Sequence, residues 1–98
     1  MKRLMKFKIR LVDEVTINEV AGTAFRIGRF RFFMVKEKTS WNVSEFKTGM
    51  AFNHPFGGSS TKKEAIHGTK EAVKRAGDEE VLKAIDFYVQ RFGILNEV

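Results

Sequence analysis

The sequence predicts an α+β domain, an antiparallel β-sheet of three to five strands followed by two C-terminal helices packed on one face. Three observations carry that expectation. The first 52 residues hold aromatic and β-branched runs with period-2 alternation. Residues 61–92 hold two stretches whose apolar side chains recur at three- and four-residue spacing. The length, 98 residues, suits one hydrophobic core and not two, so the expected organisation is a single compact domain over residues 1–98.

Phe7, Ile9 and Leu11 alternate with Lys6, Lys8 and Arg10, a strand with one face on a core and one in water. Val15, Ile17 and Val20 are interspersed with Asp13, Glu14, Asn18 and Glu19, a stretch that reads as an irregular extension, a short strand or a turn of helix. The run TAFRIGRFRFFMVKEK from Thr23 to Lys38 is dense in strand formers and interrupted by Gly28, which predicts a hairpin or a bulged strand. Within it Phe30, Phe32 and Met34 share one face, leaving Arg29, Arg31, Phe33 and Val35 on the other. Trp41, Val43 and Glu45 alternate with Asn42, Ser44 and Phe46; Lys47, Thr48 and Gly49 then turn into Met50, Ala51 and Phe52, a second hairpin. Pro55 and the Gly57–Gly58 pair oppose a continuing ladder in the loop that follows.

Thr61-Lys62-Lys63-Glu64 is a capping-box pattern and starts the first helix. Ala65, Thr69, Ala72 and Ala76 form its stripe, widened by Ile66 and Val73, and Gly77 is the expected stop. Asp78 is expected to cap a second helix, whose Val81, Ile85, Tyr88 and Phe92 make one apolar line widened by Leu82 and Val89. Gly93 ends it, with Ile94 or Leu95 folding back on the last turn.

The chemistry is limited by what is missing. With no cysteine, a disulfide framework, a thiolate nucleophile and Cys-based metal sites are excluded. His54 and His67 are the only imidazoles, and neither H-E-x-x-H nor an acidic calcium loop accompanies them, so no metal and no cofactor is expected. His67 has Glu64 and Glu71 within helical reach and reads as a surface ion pair. Ser44, Ser59 and Ser60 lack a nucleophile elbow, and Asp78, Glu79 and Glu80 sit where a helix dipole favours them. A non-enzymatic protein is expected. The basic start MKRLMKFKIR lacks the apolar core of a signal peptide, and no stretch is apolar enough to span a bilayer, so the expectation is a cytoplasmic protein without membrane insertion.

Charge supplies the positive signal. The chain has 18 Lys and Arg against 12 Asp and Glu, net +6; residues 1–60 carry 11 basic and 5 acidic side chains, and residues 61–98 carry 7 of each. All of the excess belongs to the predicted sheet. It calls for an acidic partner, DNA or RNA, or an acidic, nucleic-acid-mimicking groove on another protein, and is compatible with a homodimer. The leading expectation is a nucleic-acid-binding protein in which Lys6, Lys8, Arg10, Arg29, Arg31 and Lys47 contact phosphates and the loop from Asn53 to Lys63, with Lys62 and Lys63, approaches a groove or backbone. The stretch from Gly57 to Lys63 reads either as a turn with a solvated cap, which motif specificity favours, or as an anion site built from backbone N–H groups and lysines. The alternative function is a protein-binding inhibitor or adaptor of a nucleic-acid-processing or defence enzyme, with Phe33, Trp41, Phe56 and Tyr88 as anchors.

From Trp41 to Ala65, the run W-N-V-S-E-F-K-T-G-M followed by F-G-G-S-S-T-K-K-E-A resembles two small modules. One is the arm-binding domain of tyrosine recombinases, whose three-stranded sheet reads DNA; the other is the HicB-like antitoxin domain, which masks a toxin. Thr61, Glu64 and Ala65 are the positions matching both. The resemblance implies a binding module of bacterial, bacteriophage or other mobile-element systems, while residues 1–40 and the second helix follow neither pattern.

Overall fold

The computed structural model describes residues 5–10, 16–52 and 60–96. The alternating segments form a four-stranded antiparallel sheet in spatial order β1 (Met5–Arg10), β2 (Ile17–Ile27), β3 (Phe30–Glu37) and β4 (Ser40–Glu45). Helices α1 (Lys62–Ala76) and α2 (Asp78–Phe92) follow, completing the expected α+β order.

The face shared by Phe30, Phe32 and Met34 receives both helices: these residues and Val43 cluster with Ala65 and Val73 of α1 and Val81 and Ile85 of α2. Thr69, fully buried in the same α1 stripe, donates its hydroxyl to the Ala65 carbonyl at 2.8 Å, which satisfies its polar group within the helix. The stripe runs through Ala65, Thr69 and Val73, while Ala76 is exposed. Thr61 caps α1 by accepting from the Glu64 N–H at 3.1 Å, and the Glu64 carboxylate accepts from the Ser60 hydroxyl. Gly77 closes α1, donating to the Val73 carbonyl, and is also the N-cap of α2; Asp78 is the first residue inside that helix and makes no cap hydrogen bond.

The ambiguous stretch before Thr23 is strand from Ile17 onward, while Asp13, Glu14 and Val15 lie outside the described residues. Arg10 pairs with Ile17, Lys8 with Glu19 and Phe7 with Val20 across β1 and β2. Ile17 and Val20 have opposite parity, so one apolar side chain faces outward at 46% exposure and the other packs inward beside Phe7, which hid the alternation. The expected second arm of the last hairpin shrinks to a single bridge, Ser44 to Ala51, because the turn is tied down by its own Glu45. The buried Glu45 carboxylate accepts from the Lys47 and Thr48 N–H groups at 2.9 and 2.8 Å.

The second face of the sheet is also covered. β1 pairs with β2 through Gly22, whereas β3 pairs with β2 from Thr23 onward. Phe7 pairs with Val20 and Phe33 with Ala24, so in a flat sheet the rings would be offset by about 13 Å along the strands alone, four residues at roughly 3.3 Å each. Their centroids are instead 4.5 Å apart with planes 10° from parallel. β2 therefore bends, carrying β1 over β3, and the bend falls at Gly22, where an added Cβ would lie 2.6 Å from the Met34 carbonyl oxygen. The fold-over hides Phe33 completely and seats Phe46 edge-on against Phe7.

Two substitutions test this geometry by thermal unfolding. Gly22→Ala is expected to cost about 2 kcal/mol, since a backbone carbonyl must give way. Lys38, in the turn between β3 and β4, has φ 53°; Lys38→Gly is expected to relieve about 0.5–1 kcal/mol and raise Tm by a few degrees.

Candidate functional site

Of the basic residues singled out, only some line one cavity. Lys6 and Lys8 point outward from the β1–β2 hairpin, and Lys6 is within 3.8 Å of Glu19, an exposed and weak ion pair. Arg10 ends β1 opposite Ile17, and its side chain lies outside the described residues. Lys62 lies in the first turn of α1, its Nζ 5.2 Å from the Trp41 ring, with Lys36 at 5.8 Å from the same ring. Lys63 borders a separate open concavity with Glu64 and His67, and His67 faces Glu71 at 4.0 Å.

Arg29, Arg31 and Lys47 do converge. β4 ends at Glu45 opposite Phe32, so the start of β3 looks past its end into a space bounded by α2 and the C-terminal segment. The three cations line that cavity, about 470 Å³, over an apolar floor of Phe30, Phe46, Leu82, Ile85 and Ile94. The Arg31 guanidinium carbon sits over the Phe46 ring, 4.0 Å from its centroid, a cation–π contact that ties the side chain to the ring. Among the described residues none of the three cations forms an ion pair. Glu45 also lines the cavity, but its two oxygens are already held by the backbone N–H groups that shape the turn.

The C-terminal segment forms the remaining wall. Gly93 ends α2 by donating to the Val89 carbonyl; Leu95 N–H then donates to the Lys47 carbonyl at 2.7 Å. Neither Ile94 nor Leu95 follows the expected fold-back: Ile94 is 47% exposed at the cavity, and Leu95 is packed so close to Gly49 that a Cβ there would fall 2.6 Å from its Cδ2. Asn96 behaves like a short strand segment. Its Oδ1 accepts from Lys8 N–H at 2.8 Å, and its Nδ2 donates to the Lys8 and Phe46 carbonyls at 2.8 and 2.9 Å.

The proposed protein-binding anchors fare differently. Phe33 is withdrawn as an anchor, because Phe7 covers it and its exposure is 0%. Trp41 is half-buried against the helical core beneath two lysines, and Tyr88 is half-buried between Phe87 and Phe92. Phe56 and His54 lie outside the described residues, as do Gly57, Gly58 and Ser59 of the Gly57–Lys63 candidate anion loop. Sequence reasoning missed Phe46 and Asn96. Phe46 showed only as one of many phenylalanines, and nothing local links position 96 to position 8.

Among the described residues no three His, Cys, Asp or Glu side chains come together as metal ligands, and no helix is long and apolar enough to cross a membrane. No protein-family model, curated protein or solved structure matches the chain.

Removing the Asn96 amide leaves the Lys8 N–H and carbonyl without their partners. Asn96→Ala is expected to cost about 1–2 kcal/mol and to speed hydrogen exchange at the Lys8 amide, measured by NMR.

Proposed function

We propose that the chain binds nucleic acid, with Arg29, Arg31 and Lys47 as the central phosphate contacts. The observation that supports this reading is their convergence on one cavity without ion-pair partners among the described residues. Three cations against the single Glu45 carboxylate leave the lining net positive, and a phosphate backbone supplies anions to such a field at regular spacing. Lys6 and Lys8 are exposed outside that lining and extend the positive field instead of forming the centre. Lys62 and Lys63, at the start of α1, have the same outlying role.

An acidic groove on a protein would meet the same cations, but of the anchors among the described residues Phe33 is inaccessible and Trp41 and Tyr88 are half-buried. The nucleic-acid reading is therefore preferred.

Fluorescence anisotropy with labelled oligonucleotides tests it. Binding is expected to fall steeply with salt, and Arg29→Ala and Arg31→Ala are each expected to weaken it across unrelated sequences and reduce the salt slope by about one. Lys6→Ala is expected to have the smaller effect. Binding that is absent at low salt, or insensitive to salt, overturns the proposal.

A further inference from the structure

Resting on that reading, we infer that the cavity seats one unstacked base of a single strand, with the Arg31 guanidinium as its stacking platform and Arg29 and Lys47 on the adjoining phosphates. A volume of about 470 Å³ is that of a ligand site, and its chemistry is divided: cations on one side, aliphatic and aromatic carbon on the other. A nucleotide has the same division, a flat π-faced base joined to an anionic phosphate. Leu82 and Ile85 belong to or pack on the helical core, and the exposed Ile94 adds apolar surface at the cavity that a site for phosphates alone does not use.

The platform is preformed. Phe46 is only 5% exposed and is held edge-on by Phe7 at 5.8 Å, so the ring under Arg31 is fixed. The Arg31 guanidinium carbon lies over that ring at 4.0 Å, and among the described residues no second ring has a cation–π contact with Arg31. A guanidinium plane of this kind stacks on bases as an aromatic ring does. Duplex nucleic acid keeps its bases stacked and paired, so using this cavity would require extruding one at a cost of a few kcal/mol. Single strands are therefore the favoured class.

The same geometry argues against sequence reading. The Asn96 amide is committed to Lys8 and Phe46, and the Glu45 carboxylate to the turn, so neither is left to recognise a base edge. Stacking alone tolerates every base.

Anisotropy with five probes of equal length tests the inference: oligo(dT), oligo(rU), a fully abasic strand of each sugar, and a DNA duplex. Base-bearing single strands are expected to bind about tenfold tighter than the abasic strand or the duplex, as loss of one stacked base implies. The gain in either polymer upholds the proposal and names the polymer. Arg31→Lys, which keeps the charge but not the plane, is expected to bring oligo(dT) down toward the abasic strand while leaving the salt slope unchanged. Salt-dependent binding in which abasic strands match base-bearing ones, or the duplex binds tightest, overturns the base seat and leaves the nucleic-acid reading standing. Absence of binding to every probe overturns both.

Discussion

The rest of the structure depends on the stacking of Phe7 on Phe33 across a folded sheet. A sheet with helices on one face leaves its other face wet unless something covers it, and in this chain that face carries Phe33 and Val35. The chain covers it with its own first hairpin, bending β2 at Gly22. Burying rings of this size contributes about 1.5–3 kcal/mol each, with about 0.5–1.5 more for the aromatic pair. The fold-over then has consequences at a distance. It brings the Lys8 backbone beside Gly49, which places Asn96 between β1 and Phe46, and the tail so held becomes the outer wall of the cationic cavity.

That chain of consequences also sorts the charge. The outward face of the first hairpin carries Lys6 and Lys8 with Glu19 among them, an ordinary solvated surface. The tip of β2 and β3 carries Arg26 and Arg31 in register with each other and Arg29 in the turn, with Lys47 reaching the same cavity from beyond β4. Like charges placed together are unfavourable in isolation, and here the nearest carboxylate, Glu45, is spent on shaping its own turn. Under the proposed function, a bound anion would offset that crowding.

Local rules carried much of the architecture. The parity of Phe30, Phe32 and Met34 identified the helix-covered face, the Thr61–Glu64 pattern started α1, and Gly77 and Gly93 ended the helices. What was illegible depends on contacts remote in sequence. Phe33 has the parity of an exposed residue and is buried only because β1 crosses over it. The parity clash of Ile17 with Val20 blurred the start of β2. Asp78 looked like a cap, yet Gly77 takes the cap position because it already ends α1. At the site, the charge map located the sheet but not the cavity, whose lining of Arg29, Arg31 and Lys47 depends on where β3, the turn after β4 and the C-terminal segment meet. Asn96 had no local signal at all.

The most direct test of the folded sheet is a nuclear Overhauser measurement between the Phe7 and Phe33 rings in the isotope-labelled protein. With centroids 4.5 Å apart, strong ring-to-ring cross-peaks are expected, accompanied by contacts from Asn96 to Lys8 and Phe46. An open sheet, in which Phe7 shows contacts only to β2 and none to Phe33, would contradict the account.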